Sequence, residues 1–373
     1  MKTAFWCATA LVFYAYVGYA AWLWVCSRVR PQPLRRGRFL PFVSVVMVVR
    51  DEEASLPDKL ENLTALDYPR EKLEFVVVSD GSRDGTEKIL SEAAKDTRYR
   101  VLVFHDQKGK ASRLNDALAA ARGEMILFVD ARQQIEPDAL RLLMENFVED
   151  GIGCASGELM LGDPHSGEAE KGMGIYWRVE KKIREMESLS GSVVGATGAI
   201  YAARRELLAP VPADTILDDV FLPLQVARQG ARVIFDGRAH AWDNPDLGAE
   251  REFRRKVRTL TGNYQLLQLA PWLLGSENPL RFRFISHKLV RLAVPFALGV
   301  MLVSSLMVAQ PFYWTVFCLQ LFFYALSVLA LTKAQLGPLA RVANAALTLI
   351  VLNTAAVVAL GNFVTRRKEV WVR

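Results

Sequence analysis

Four aspartates and one lysine stand out among the polar residues of this sequence, because each lies beside a short apolar segment. Asp80 and Asp130 directly follow apolar segments, Lys110 opens an alanine-containing one, and Asp218 and Asp219 form an adjacent pair before another. Carboxylates can accept hydrogen bonds, bind a divalent cation or take up a proton, and an ammonium group can bind phosphate. These are the residues whose types could carry chemistry, provided that the fold brings them together.

The same residues have plainer interpretations. Asp84, Gly85 and Thr86 fit a turn followed by a helix cap, but that turn does not account for Asp80 at the end of its apolar segment. An adjacent pair of acids before an apolar stretch is typical of the first turn of a helix, where negative charge is favourable. Residue types alone therefore leave structural and catalytic roles open.

The elements that must position these residues alternate between strands and helices. Short apolar, β-branched runs predict strands, and apolar residues at helical spacing predict helices. The predicted strands cover 43–49, 75–78, 101–104 and 125–129, and the predicted helices cover 86–94, 111–121 and a segment that opens at Pro137. This alternation predicts an α/β fold with a doubly wound, mostly parallel sheet. Ligands of such sheets bind beyond the carboxyl ends of the strands, where Asp80 and Asp130 lie.

The amino-acid composition indicates membrane-spanning segments in addition to this domain. The chain is 51% hydrophobic and 23% charged, which fits one soluble domain joined to a few spans. Uncharged runs predict one transmembrane helix before the domain and about three after it: between Lys2 and Arg28, between Arg291 and Lys333 with Gln310-Pro311 at the middle, and between Arg341 and Arg366. The four cysteines show no spacing typical of a disulfide framework or a zinc site.

The predicted division is a transmembrane helix at 1–28, a catalytic domain at 42–248, interfacial amphipathic helices at 249–288 and transmembrane helices at 289–365. Arginines crowd the segment 28–38, so the positive-inside rule predicts a cytoplasmic domain on a multi-pass protein of the cell inner membrane. The net charge of +6 is explained by such flanking residues, and no nucleic-acid partner is predicted. Four crossings would leave the C-terminus outside although Arg366, Arg367 and Lys368 lie there; either the charge bias is overridden or one segment does not cross.

An ordered set of short motifs carries a resemblance to a known family. The motifs are Arg50-Asp51-Glu52-Glu53, Asp80-Gly81-Ser82, Gly109-Lys110-Ala111 with Asn115, Phe128-Val129-Asp130-Ala131, Gly195-Ala196-Thr197-Gly198, Asp218-Asp219 and Arg255-Lys256-Val257-Arg258-Thr259. From about residue 42 to 288 the chain resembles membrane-bound family 2 glycosyltransferases with the GT-A fold, in the branch of the cellulose and hyaluronan synthases. The resemblance implies an enzyme that transfers a sugar from a nucleotide-sugar donor to a lipid-linked or growing saccharide acceptor, with inversion.

The resemblance also implies a role for each matched residue. Asp219 would be the general base. Donor binding would fall to Glu52, Asp80, Lys110, Asp130 and Arg258, with Asp80 on the base and Lys110 near the diphosphate. The acceptor side would be formed by Thr197, Gly198 and Asp218. Asp130 would also contact a divalent cation, Mg²⁺ or Mn²⁺.

Two departures from the family pattern bear on these roles. Arg132 replaces the second acid of the Asp-x-Asp motif, and an arginine there would repel a metal ion or pair with phosphate. His240 is either an extra metal ligand or, as is more common for a lone histidine near a strand end, a structural residue. Arg255 and Thr259 stand where processive members carry Gln and Trp, and this favours the addition of a single sugar over polymer synthesis.

Three functions therefore remain open. The first is single-sugar transfer to a lipid-linked acceptor, the second is a processive polysaccharide synthase working with other polysaccharide-assembly proteins, and the third is a catalytically inactive scaffold that binds sugar nucleotides. The apolar helices contain few polar residues, mainly Gln320 and Asn353, and a sugar channel would need a more polar lining. The alternating apolar and basic residues of 253–267 predict an amphipathic helix, either at the membrane surface or packed on the domain.

Overall fold

The computed structural model describes residues 1–162, 175–243, 249–331 and 339–366. The strands are β1 Val43–Val49, β2 Leu73–Asp80, β3 Tyr99–Phe104, β4 Met125–Val129, β5 Gln134–Ile135, β6 Ile152–Leu161, β7 Ile200–Arg204 and β8 Arg232–Asp243. The helices are α1 Lys2–Val29, α2 Leu56–Thr64, α3 Thr86–Ala93, α4 Lys110–Ala120, α5 Ala139–Met144, α6 Ile175–Leu189, α7 Asp218–Arg228, α8 Ala249–Leu269, α9 Arg281–Met307, α10 Pro311–Leu331 and α11 Ala340–Val364. Short 3₁₀ turns occupy Arg70–Lys72, Glu145–Val148, Arg205–Leu207 and Pro271–Leu274.

The first half of the sheet is the parallel, doubly wound arrangement that the sequence predicts. The strand order is β3-β2-β1-β4-β7-β6-β8-β5, and β1 pairs in parallel with both β2 and β4. β1, β2 and β4 are buried along nearly their whole length, as expected for strands covered by helices on both faces. The predicted α/β fold is confirmed. The helix expected at Pro137 begins at Ala139 and tightens into a 3₁₀ turn after Met144.

The second half of the sheet is mixed. β7 runs antiparallel to both β4 and β6, and β5 runs antiparallel to β8, whereas β6 and β8 pair in parallel. The strict alternation of strand and helix ends after β4, because β5 follows it after only a short turn. The β4–β7 junction places the end of β4 beside the start of β7, so that Asp130 and Gly198 come close together.

Among the residues that the structure describes, four helices are long and apolar enough to cross a membrane: Lys2–Val29, Arg281–Met307, Pro311–Leu331 and Val342–Val364. This is one helix before the sheet and three after it, as predicted. The N-terminal ends of α1 and α10 are in contact, and the Phe5 and Tyr313 ring centroids lie 4.9 Å apart. Gln320 donates to the Leu298 carbonyl, and Asn353 donates to the Tyr16 hydroxyl. These two amides therefore join helices to one another.

Helix α8 is the predicted amphipathic helix, and its apolar side is covered by α11. Val257 packs in one buried cluster with Ala355 and Ala359, and the Tyr264 and Phe363 rings stack with centroids 5.8 Å apart. The predicted domain limits stay a prediction. The limit at 248, the residues Lys333, Arg367 and Lys368, and the side chain of Arg341 lie outside the described part of the chain.

Candidate functional site

Asp80 ends β2 and connects that strand to the loop before α4. Its carboxylate accepts hydrogen bonds from the backbone N–H groups of Lys108 and Gly109, at 2.8 and 2.9 Å. Gly109 has a φ of 86°, which a residue with a side chain adopts only with strain. The glycine of the Gly-Lys-Ala motif therefore lets the loop turn back onto Asp80 and begin α4 at Lys110.

Arg113 completes the surroundings of Asp80 and was missed by the sequence analysis. Its Nε donates to Asp80 Oδ1 at 2.9 Å, and its other nitrogens bind Asp106 and Asp116. The guanidinium carbon lies 3.7 Å from the centre of the Phe104 ring. Arg113 is 1% exposed, so a charge is buried here among three carboxylates. Its position three residues after Lys110, on the first turn of α4, is the only sequence signal that pointed to it.

Lys110 contacts the acid at the end of β4 and an acid on the first turn of α7. Its Nζ lies 2.8 Å from Asp130 Oδ1 and 3.4 Å from Asp218 Oδ2. Burial lowers the pKa of Lys110, but the charges of Asp130, Asp218 and Asp219 outweigh it and raise that pKa above its ordinary value. The lysine therefore stays protonated and could pair with an anionic ligand.

Asp219 faces the same space from the first turn of α7. An ideal Cβ on Gly198 would lie 3.2 Å from Asp219 Oδ2 and 3.7 Å from Asp130 Oδ2, so the missing side chain leaves room between two carboxylates. Burial and the charge of Asp218 raise the pKa of Asp219 to about 6, although Lys110 and Lys288 oppose the shift. A carboxylate with this pKa takes up a proton more readily than an ordinary aspartate does.

Thr197 precedes Gly198 in the site, and both its backbone N–H and its hydroxyl group are hydrogen-bonded. Its backbone N–H donates to Ser156 Oγ at 2.9 Å, and its hydroxyl accepts from Arg184 Nη1 at 2.5 Å. Arg184 lies on α6, and no motif in the sequence pointed to it. The backbone N–H of Ala196 donates to the Asp219 carbonyl at 2.7 Å, which fixes this segment against the start of α7.

Arg132, which replaces the second acid of the Asp-x-Asp motif, binds Asp243. Its Nη2 lies 3.3 Å from Asp243 Oδ2, an oxygen that Arg255 and Gln133 also approach. His240 is occupied as well, because its ring nitrogens contact Glu136 at 3.0 Å and the Gly237 carbonyl at 2.9 Å.

Within the described ranges, no three His, Cys, Asp or Glu side chains form a group that could hold a metal ion. The site itself therefore offers a cation mainly the Asp130 carboxylate. A divalent ion bound through one carboxylate is normally completed by phosphate oxygens and water. The residues present fit a cation that arrives with a diphosphate, and Arg132 does not contribute to it.

Among the described residues, neither Glu52 nor Arg258 forms a hydrogen bond or ion pair with the acids of this site. The backbone N–H of Glu52 donates to Thr86 Oγ1 at 2.9 Å, and its carboxylate accepts from the Ser55 hydroxyl, so it joins the loop after β1 to the start of α3. Arg258 lies half-buried on α8. Their roles in donor binding stay predictions.

Two further buried groups adjoin the acids and carry no sequence signal. Lys59 is fully buried and donates to the Gln133 carbonyl at 2.5 Å. Burial lowers the pKa of Lys59 to about 7, although the charge of Asp130 opposes the shift. Tyr201 of β7 is also buried and stacks on Phe128 of β4 with ring centroids 4.3 Å apart. This stacking stabilises the β4–β7 junction.

This sheet, with acids at the ends of its parallel strands, defines a domain of the GT-A fold. A solved structure with the same fold is that of a mannosyltransferase from Pyrobaculum calidifontis in complex with GDP-Man and Mn²⁺. It has a TM-score of 0.74 and 20% identity, and the match covers 98% of this chain and 99% of that one.

Residues 44–211 match the family model described as Glycosyl transferase family 2, so the chain contains a glycosyltransferase domain of that family. It is similar to the poly-beta-1,6-N-acetyl-D-glucosamine synthase of Staphylococcus aureus (strain COL), with 22% identity over 229 residues, 60% of this chain and 55% of the relative. It is similar also to the synthase of that name from Staphylococcus epidermidis, with 22% identity over 234 residues, 62% of this chain and 56% of the relative. The chain thus matches just over half the length of these relatives.

Proposed function

We propose that this protein is an inverting glycosyltransferase that moves one sugar from a nucleotide-sugar donor to a lipid-linked acceptor at the cytoplasmic face of the membrane. The Asp219 carboxylate carries the proposal. It opens into the space above Gly198, and none of the described residues donates a hydrogen bond to it. In this role Asp219 takes the proton from an acceptor hydroxyl as the hydroxyl oxygen attacks the anomeric carbon.

The donor lies on the other side of the same space in this proposal. The bond between the anomeric carbon and the diphosphate oxygen breaks as the new bond forms, and negative charge develops on the leaving diphosphate. Lys110 offsets that charge from its place beside Asp130. One in-line displacement inverts the anomeric centre, and only one base is needed for it.

A divalent cation fits this arrangement when the donor brings its phosphate oxygens. The Pyrobaculum calidifontis enzyme was solved with both GDP-Man and Mn²⁺. In this chain Asp130 would hold the cation, which would neutralise charge on the diphosphate. We expect Asp130→Asn to weaken the dependence of donor binding on Mn²⁺, whereas Arg132→Gln should leave it intact because Arg132 binds Asp243.

Addition of a single sugar is favoured over polymer synthesis by the apolar helices. Gln320 and Asn353 bind groups of neighbouring helices, and so they do not line a polar path. The named relatives are polysaccharide synthases, so a processive synthase is the second candidate. The size of the product formed after long incubation with donor separates the two.

The first experiment measures release of nucleoside diphosphate by the purified chain in lipid, with a panel of nucleotide sugars, a membrane lipid extract and Mg²⁺ or Mn²⁺. Asp219→Asn should lower the rate by about 10²–10⁴-fold, the usual contribution of a general base. Asp138→Asn is the matched control, since Asp138 is an exposed partner of Arg141 outside the site. Equal rates in wild type and folded Asp219→Asn would remove Asp219 from this role. Donor binding without turnover in any condition would favour a sugar-nucleotide-binding scaffold.

A further inference from the structure

A group of cations borders the candidate site on the side of the apolar helices, and the transfer reaction above does not use it. Arg184 lies on α6, and Lys288 and Arg291 lie near the start of α9. Two carboxylates, Glu180 and Glu187, share the region. The ionised side chains therefore leave an excess of positive charge where the domain meets a membrane-spanning segment.

Arg184 connects this group of cations to Thr197, the residue next to Gly198 in the candidate site. Its Nη1 binds the Thr197 hydroxyl at 2.5 Å, and its Nε lies at the 4.0 Å limit of an ion pair with Glu180. Thr197 precedes Gly198, over which the Asp219 carboxylate lies. About a quarter of the Arg184 side chain is exposed, at 24%, so its remaining N–H groups can reach a ligand.

Lys288 differs from the other cations of this group in its contacts with carboxylates. Among the described residues, no carboxylate oxygen lies within 4.0 Å of its ammonium nitrogen. The side chain is half-buried. Lys288 follows His287, whose Nε2 lies 2.8 Å from Glu180, the acid that Arg184 also approaches. A half-buried cation without a counter-ion is unfavourable, and a bound anion would offset that cost.

The nearby acids are already engaged. Glu180 accepts from His287 and Arg291, both at 2.8 Å. Glu187 accepts from Tyr19 at 2.5 Å and from His287 at 2.9 Å. These contacts hold α1, α6 and α9 together. The charges of both acids act on Lys288, but neither acid forms an ion pair with it, so its ammonium group can bind a ligand.

The position of these cations relative to the membrane surface indicates where that ligand comes from. Trp22 of α1 packs edge-on against Phe282 of α9 with ring centroids 4.7 Å apart, and both side chains are exposed. Aromatic side chains of this kind gather at the level of lipid headgroups. Phe282 lies six residues before Lys288 on the same helix. The commonest anion at that level is a phosphate.

We propose that Arg184 and Lys288 bind a phosphate group of the membrane-borne acceptor while a hydroxyl of that acceptor faces Asp219. The acceptor is then a phosphate-containing lipid with a free hydroxyl. A phosphate suits this pair because its several oxygens can accept from a guanidinium and an ammonium group at once. The inference rests on the proposed function and adds the chemical class of the acceptor. The donor diphosphate is the other source of phosphate and is tested separately.

The first test compares two probe lipids that differ only in the phosphate. The purified full-length chain is incubated in detergent with phosphatidic acid or with diacylglycerol of the same acyl chains, and bound lipid is counted by native mass spectrometry. Wild type should retain about tenfold more phosphatidic acid, the change expected for one charge-assisted hydrogen bond. Equal retention of the two lipids by wild type overturns the proposal without any variant.

Variants then locate the phosphate. Arg184→Gln and Lys288→Gln should each bring retention of phosphatidic acid toward that of diacylglycerol, and Lys288→Arg should keep it. Arg254→Gln is the control, because Arg254 is an exposed cation of α8 paired with Glu250. Loss in the control to the same extent, or no loss in either glutamine variant, contradicts the assignment. If Lys288→Gln fails to fold, Arg184→Gln and Lys288→Arg decide the question.

Donor kinetics separate this inference from the function on which it rests. The glutamine variants should raise KM for the phosphate-containing acceptor and leave KM for the nucleotide sugar unchanged. A rise in the donor KM alone would assign the cations to the donor diphosphate and overturn the proposal. Turnover with an uncharged acceptor, without preference for phosphatidic acid, would overturn this inference alone. Preference for phosphatidic acid without turnover on any acceptor would overturn the proposed function alone.

Discussion

Arg113 Nε donates to Asp80 Oδ1 at 2.9 Å, and this buried ion pair ties the loop before α4 to the end of β2. The same carboxylate accepts from the backbone of Lys108 and Gly109, so Asp80 fixes the point at which Lys110 enters the site. The Asp-Gly-Ser and Gly-Lys-Ala motifs are therefore one structural unit, although helix α3 and strand β3 lie between them along the chain.

Arg113→Met should destabilise the protein and displace Lys110. Breaking a buried pair leaves an uncompensated charge and costs about 3–5 kcal/mol. Lys95→Met is the contrast, because Lys95 and Glu92 are both exposed and such pairs contribute about 0–1 kcal/mol. Denaturant unfolding in detergent micelles measures both. Equal stability of the two variants would contradict the structural role of Arg113.

The pH dependence of turnover should report the protonation of Asp219. A general base acts only when deprotonated, and burial with Asp218 raises the pKa of Asp219 to about 6. The rate should therefore rise as pH increases through about 6 and level off above it. Because Lys110 opposes the upward shift, Lys110→Gln should move the rise to higher pH. A profile that is flat from acidic to neutral pH would speak against Asp219 as the base.

Gly198→Ala should impair catalysis without unfolding the domain. The added methyl group would lie 3.2 Å from Asp219 Oδ2 and would occupy the space between the two carboxylates. Displacing reacting groups by about 1 Å can cost roughly 10²-fold in rate. Gly151→Ala is the matched control, because an added Cβ there meets nothing within 4 Å. Steady-state rates and thermal unfolding of both variants give the comparison, and a fully active Gly198→Ala would contradict the proposed geometry.

The end of α11 should lie on the same side of the membrane as the catalytic domain. Phe363 stacks on Tyr264 of α8, and Gly262 of α8 packs closely against Leu217 in the loop that leads to Asp218. A cysteine placed at the exposed position Thr365 in a chain without its native cysteines should react with an impermeant thiol reagent from that side. Gln229→Cys, exposed on the domain, marks the side. Labelling of the two cysteines from opposite sides would show that α11 crosses.

Local sequence determined the parallel half of the fold and the order of the motifs. β-Branched runs such as Val43–Val49 favour strands that are buried on both faces between helices, and lengths near 20 apolar residues suit spans. Asp80, Lys110, Asp130 and Asp219 could be singled out because they stand at the ends of such elements. Spacing along the chain was sufficient for these conclusions because both periodicity and length are local properties.

The tertiary structure decided which of these residues meet and what surrounds them. The antiparallel β4–β7 junction places Gly198 beside Asp130, and packing brings Arg184 to Thr197 and covers α8 with α11. The pKa of Asp219 depends on burial and on the distances to Asp218, Lys110 and Lys288, which no motif specifies. Electrostatic energies vary with distance and burial, and contacts between distant segments depend on packing. The sequence therefore named the acids, and only the packed fold decided which of them meet around Gly198.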